Sequence, residues 1–247
     1  MNLPILYEDA DIVAVEKPAG VMTHADGVGT AETVADWFAT RYPESKDVGE
    51  TQRLKDGTEI KRPGIVHRLD VDTSGVLVLA KTTEAHAFLK AAFQNREVKK
   101  TYLAFTYGVP KERKGVIVFP IGRSRKDFRL RSAQPKAKGT LRDAITRYEV
   151  VGDIGTHSLI KVMPETGRTH QIRVHLKAIH HPVVGDVLYA PNHPTDLGFT
   201  RLGLHAYSLD VPLPSGGRKE IIAPVPLELQ SAVAKFPNAD YALAVPS

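Results

Sequence analysis

The chain has 247 residues, 42% hydrophobic and 25% charged, which is ordinary for a globular protein and long enough to bury a substantial core. It contains no cysteine, which excludes disulfides, a thiol nucleophile and thiolate-bound zinc. A formal net charge of +5 and a pI near 9.3 favour a polyanionic partner.

Residues 5–15 predict two short strands around a turn at Glu8-Asp9-Ala10-Asp11, and Lys17-Pro18-Ala19-Gly20 punctuates the end of the second. This start has no basic n-region before an apolar core, and no later apolar run approaches the ~20 residues of a membrane span. The expectation is a cytoplasmic chain without a membrane segment. Val34, Trp37, Phe38 and Tyr42 share one helical face, which Pro43 ends. Residues 45–62 are polar and charged, predicting a loop or a small exposed hairpin around Lys55-Asp56-Gly57-Thr58, with no role that the sequence assigns.

Val76 to Ala80 reads as a buried strand, and Thr82 or Thr83 then caps an amphipathic helix with Phe88, Leu89, Ala92 and Phe93 inward. Further strands are predicted over 101–107, 116–119, 144–151 and 158–163. Thr166-Gly167-Arg168 is a turn; Ile172, Leu176 and Ile179 follow at helical spacing after a Thr169 cap, and Pro182 stops the run. A strand over 171–176 is the competing reading. Strands outnumber helices without alternating with them. The pattern predicts an α+β fold on a mostly antiparallel mixed sheet flanked by helices and loops. With no repeat or linker, one domain over 1–247 is expected.

The stretch His67-Arg68-Leu69-Asp70-Val71-Asp72-Thr73-Ser74-Gly75 first suggests a calcium loop, with oxygen-bearing residues at Asp70, Asp72 and Ser74. A calcium loop of this kind needs a glutamate at its twelfth position, which is Lys81, and a helix where an apolar strand follows. That reading fails. Phosphate-cradling glycine motifs and a Gly-x-Ser-x-Gly elbow are absent. His170/His175 and His180/His181 lack metal-ligand spacing, so a structural or solvated role is expected and no metal site. Residues 123–131 are dense in cations, followed by Lys136 and Lys138. From charge alone this is either a solvated loop or a surface that tracks phosphates.

Residues 67–75 and Thr166-Gly167-Arg168-Thr169-His170-Gln171-Ile172-Arg173, taken with Lys17-Pro18-Ala19-Gly20 and Lys100-Thr101-Tyr102, resemble the RluA-type pseudouridine synthase family. His181-Pro182 and Gly185-Asp186-x-x-Tyr189 follow in that family's order, and the resemblance runs from about Leu6 to Leu229. It implies the pseudouridine synthase fold and the isomerisation of uridine to pseudouridine in RNA, with ribosomal RNA favoured and transfer RNA the alternative. It implies no cofactor, metal or obligate protein partner, because the uridine's own atoms suffice. The start of the sequence reads as catalytic domain, with no separate RNA-binding module before it.

The resemblance makes Asp70 the essential nucleophilic or sugar-activating carboxylate, a group suited to an electron-poor anomeric carbon. It assigns Arg173 as the guanidinium partner of Asp70, and Tyr102 as the tyrosine that packs on the uracil. Arg68 becomes a candidate for filling the space of the flipped base. His67, Arg168, His170, Arg123, Arg125 and Lys126 are candidates for holding RNA, chiefly through phosphates. A non-catalytic RNA-binding protein on the same scaffold would fit better had Asp70, Tyr102 or Arg173 been replaced, and all three are present.

Overall fold

The computed structural model describes residues 1–25, 27, 29–53, 57–124, 130–133, 137–194, 196–237 and 239. Where the sequence, lacking a linker, reads as one domain, contacts group the chain into two compact units. The first is Met1–Lys99 with Ala206–Pro224; the second is Lys100–His205 with the chain from Val225 onward.

The first unit opens with β1 (Ile5–Glu8) and β2 (Ile12–Lys17), joined through the predicted acidic turn. Asp9 builds that turn by accepting the N–H groups of Asp11 and Ile12, each at 2.8 Å. α1 (Val34–Arg41) starts at Thr33, whose hydroxyl accepts the Asp36 N–H while the Asp36 carboxylate accepts the Thr33 N–H. Tyr42 is its C-cap, and Pro43 begins a short 3-10 turn. β3 (Gly49–Arg53) and β4 (Glu59–Pro63) form an antiparallel hairpin across the charged segment, with β3 exposed throughout.

β5 (Ser74–Ala80) is buried at every residue, as its unbroken apolar run requires. It lies antiparallel to β2, in register from Ile12↔Ala80 to Lys17↔Gly75. α2 (Thr83–Gln94) is capped by Thr82, whose hydroxyl accepts the Ala85 N–H at 3.1 Å. Its buried face is Ala85, His86, Leu89 and Ala92, with Phe93 partly buried against the core. Phe88 corrects the prediction: it is 40% exposed. At ~100° of rotation per residue it stands on the flank of the buried arc, where a large apolar residue can lie half in water.

The second unit contains β6 (Lys99–Tyr107), β7 (Lys114–Ile117), β8 (Ile121–Arg123), β9 (Arg131–Ser132), β10 (Lys138–Arg142), β11 (Thr146–Asp153), β12 (His157–Pro164) and α3 (Gln171–Ala178). Its main strands lie in the order β6-β12-β11-β7, and β10-β8-β9 make a small second sheet. β7 ends before the predicted Val118 and Phe119, both exposed; Pro120 follows and cannot donate to a ladder. α3 settles the helix-or-strand question at 171–176 as helix.

Thr169 is not its cap. His170 occupies the N-cap in the left-handed region, φ 56° and ψ 22°, and its side chain caps nothing. The chain then supplies β13 (Leu204–Pro212) and β14 (Arg218–Ile222), and in the first unit the strand order runs β1-β2-β5-β13 with β14 paired to β13. α4 (Leu227–Val233) belongs to the second unit. The ladders β1/β2, β2/β5, β6/β12, β12/β11, β11/β7 and β13/β14 are antiparallel, giving the expected α+β fold.

His175 on α3 has no exposed surface and serves the packing of the second unit. Its Nε2–H donates to the Phe119 carbonyl and its Nδ1 accepts from the Thr146 hydroxyl, both at 2.9 Å, a set that suits the neutral ring. Burial pushes its pKa below the ordinary histidine value, partly offset by the Phe119 bond. The unfolded chain takes up a proton near pH ~6.5 that the folded chain still refuses. Stability is therefore full above that pH and declines as the pH falls through it. Urea unfolding of the wild type at pH 7.5 and 5.5 should show that decline, and His175→Gln should make it shallower.

Candidate functional site

In the first unit the turn that carries Asp70 is pinned on both sides by backbone bonds. Leu69 is buried, and its N–H and carbonyl both bond the Thr23 hydroxyl, at 3.2 and 3.0 Å. The Asp70 carbonyl accepts the Thr73 N–H at 3.1 Å and closes the turn. Gly20 N–H and Lys17 Nζ both donate to the Val71 carbonyl, at 2.8 and 3.0 Å.

Lys17 is fully buried, and its ammonium also donates to Pro18 and Val21 carbonyls at 2.8 and 2.7 Å. A buried charge is tolerated only with partners of this kind. The Lys17-Pro18-Ala19-Gly20 stretch is therefore more than a turn marker, since it grips the residue after Asp70. Gly75 closes the turn region at φ 121°, where an added Cβ would stand 2.1 Å from the Ala206 carbonyl oxygen. Only glycine lets β5 start there. The Asp70 side chain is left half-buried, on a backbone that cannot drift.

His67 lies against the packing layer of this unit. Its Nε2 accepts the Val78 N–H at 3.0 Å, and its ring stacks on Phe93 at 4.6 Å. Arg68 is exposed, and its Nη1 meets the Nε2 of buried His24 at 3.4 Å.

In the second unit Tyr102 is half-buried on β6, opposite Val162 of β12, and packs at the margin of the core around Ala104, Ile160 and Ile172. Arg173 on α3 is 3% exposed and forms a bidentate ion pair with Asp186, Nε to Oδ2 and Nη2 to Oδ1, both 2.7 Å. The Asp186 Oδ1 also accepts the N–H groups of Leu188 and Tyr189. The Arg173 guanidinium lies 5.0 Å from the centre of the Tyr189 ring. The Tyr189 hydroxyl in turn bonds His170 Nδ1 at 2.8 Å and accepts the Arg131 N–H at 2.9 Å.

The turn before α3 is held by Gln171. Its Oε1 accepts from the Thr166 hydroxyl and the Arg168 N–H, and its Nε2 donates to the Ile145 carbonyl and the Thr146 hydroxyl. Arg168 Nε donates to the Asp143 carbonyl at 3.0 Å, and Lys100 Nζ reaches the Thr166 carbonyl at 3.4 Å. Arg123 is exposed on β8; Arg125 and Lys126 lie outside the described residues. Within its own unit, the second sequence motif thus comes together around two centres, Gln171 with Arg168, and Tyr189 with His170 and Arg173.

A family profile described as RNA pseudouridylate synthase matches residues 11–178. The chain belongs to that family. An uncharacterized RNA pseudouridine synthase of Mycobacterium bovis is 42% identical over 235 residues, 94% of this chain and 72% of its own length. Ribosomal large subunit pseudouridine synthase D of Vibrio parahaemolyticus is 38% identical over 237 residues, 91% of this chain and 67% of its own. Among solved structures, human RNA pseudouridylate synthase domain containing 1 matches with a TM-score of 0.71 at 28% identity, covering 95% of this chain and 88% of its own. The protein is accordingly an isomerase acting on uridine in RNA. No helix among the described residues is long and apolar enough to cross a membrane.

Sequence reasoning named Asp186 and Tyr189 only as motif positions and missed their work. The available signal was that Asp186 is the first carboxylate after the histidines, set beyond Val183-Val184-Gly185 in an apolar context. In an RNA pseudouridine synthase built this way, removing the carboxylate strands a buried guanidinium. Asp186→Ala should cost about 3–5 kcal/mol of unfolding free energy. Denaturant unfolding measures it, and a loss below 1 kcal/mol would mean water reaches the pair.

Proposed function

We propose that this RNA pseudouridine synthase modifies uridines of ribosomal RNA in the cytoplasm, with Asp70 as the residue that activates the sugar. The reading of the target is supported by the relative whose name gives the large ribosomal subunit as its substrate. The reading of Asp70 is supported by one observation above all: its turn is fixed through Leu69, Val71 and Thr73 while its carboxylate stays half-exposed. Reaction geometry depends on such fixing, because a carboxylate that wanders gives up orientation.

In the proposed sequence the uridine leaves its stack at a cost of a few kcal/mol, and Arg68 occupies the vacated space. The C1′–N1 bond breaks with its electron pair moving onto the uracil while the Asp70 carboxylate serves the electron-poor C1′. The ring turns, C5 bonds to C1′, the C5 proton departs and N1 gains one, so atoms and charge balance without a redox step. Tyr102 packs against the uracil through that rotation.

The family resemblance gives Arg173 the task of steadying an ionised Asp70. Its guanidinium carries donors beyond the two that Asp186 engages. Arg168, His170 and Arg123 hold phosphates, which positions the RNA without reading its sequence. Arg125 and Lys126 extend that role in sequence.

Asp70→Asn tests the assignment, since asparagine keeps the shape and an acceptor oxygen and loses the charge and the nucleophile. The purified variant should bind RNA as the wild type does, unfold at a similar denaturant concentration and form no pseudouridine. Detectable turnover would remove Asp70 from the chemistry. Mapping pseudouridine in total RNA with and without the gene tests the ribosomal target, and a missing site in transfer RNA alone would move it there.

A further inference from the structure

The small sheet β10-β8-β9 and the turn at 167–169 enclose a pocket of about 530 Å³ in the second unit. Four arginines line it, Arg123, Arg131, Arg142 and Arg168, together with Thr140 and Gly167. Among the described residues its lining has no carboxylate. Arg123 and Arg131 are direct partners across the β8/β9 ladder, so both side chains leave on the same face. Like charges placed directly opposite destabilise a strand pair. A bound polyanion would turn that repulsion into attraction.

Gly167 supplies an independent observation. Its φ lies outside the left-handed region, so its backbone does not demand glycine, and an added Cβ would meet nothing within 4 Å. Neither conformation nor packing within the protein accounts for a bare backbone at this point on the pocket wall. A ligand that comes close to the main chain does.

We propose that this pocket binds a phosphodiester of single-stranded RNA, with Arg131 and Arg142 as contacts in addition to Arg123 and Arg168, and with the RNA backbone passing over Gly167. The pocket's form favours a single strand. A duplex offers its phosphates on a convex ridge and would reach only the rim, whereas a splayed strand can put one phosphate inside. Arg168 is ready for that ligand, because its Nε bond to the Asp143 carbonyl sets the plane of the guanidinium. The proposal rests on the reading of the protein as an enzyme of RNA, and it places one element of the substrate strand.

Fluorescence anisotropy with a short labelled oligoadenylate tests it without using the reaction, because that strand contains no uridine. Arg142→Gln and Arg131→Gln should each weaken binding about tenfold, as expected for losing one charge-assisted contact. Each should also reduce the slope of log affinity against log salt by about 0.7 for the phosphate released. Gly167→Ala should weaken binding too, while its unfolding midpoint stays level or rises, as alanine does where the backbone accepts it.

A cytidine–guanosine duplex should bind more weakly than the single strand and respond less to the same substitutions. Wild-type affinity and slope in all three variants would overturn the proposal. So would equal dependence of duplex binding on these residues, or inorganic pyrophosphate binding the pocket more tightly than the strand. If the variants lose oligoadenylate binding and the wild type makes no pseudouridine, the pocket stands and the enzymatic reading falls.

Discussion

Arg173 and Asp186 have given up nearly all contact with water, and the desolvation of each ion costs several kcal/mol that their mutual geometry and the N–H groups on Asp186 offset. A bidentate pair with both bonds at 2.7 Å tolerates little displacement. That intolerance spreads through the second unit. Asp186 fixes the backbone of Leu188 and Tyr189 by accepting their N–H groups, and Tyr189 passes the constraint on through a single hydroxyl to His170 and to the β9 backbone at Arg131. The left-handed conformation of His170 fits this arrangement: the residue gives up capping α3 and points its ring at Tyr189.

The first unit solves a similar problem with different groups. Lys17 is a charge with no exposed surface, and three carbonyl oxygens around its ammonium replace water. Two of those carbonyls, Pro18 and Val21, lie on its own loop, and the third is Val71. The desolvated ammonium thereby locks two loops far apart in sequence, one of which holds Asp70. These bonds run from the ammonium to main-chain carbonyls, and the one to Val71 fixes the backbone beside Asp70. The order of the nine-residue stretch 67–75 thus depends on groups outside it, the Thr23 hydroxyl and the Lys17 ammonium.

How much of this was legible depends on the range of the interaction concerned. Strands β5, β6 and β12 and helices α1 and α2 announce themselves through local periodicity, buried runs and caps, and they stand where the sequence puts them. Phe88 misled because hydrophobicity marks an amphipathic face but not its edges, and one residue of rotation separates core from flank. Thr169 misled for a different reason: threonine is a good cap, yet the demands of Tyr189 and Gln171 on the neighbouring turn decide where α3 begins. β13 and β14, which the sequence reading left out, complete a sheet whose other members lie well over a hundred residues earlier, and no local window carries that pairing. The motif residues were legible as a family resemblance, whereas the partners that position them, Asp186, Tyr189 and Thr23, are set by tertiary contact.

Arginine shows the same point at the scale of one residue type. Arg173 and Arg168 stand five positions apart on one motif, and their spacing alone would give them equal claims on RNA. Burial separates them. A guanidinium with 3% exposure and a carboxylate on its planar edge is held first by the protein. A guanidinium on the wall of an open pocket, with a carbonyl on its Nε and other arginines nearby, keeps its charge directed outward. A rigid, neutralised interior and a cationic rim are both needed to handle a flexible polyanion. Phosphate attraction supplies affinity at long range but little geometry, and the geometry has to come from groups that the RNA cannot displace. The buried Arg173–Asp186 pair and the buried Lys17 ammonium are groups of that rigid kind in this chain.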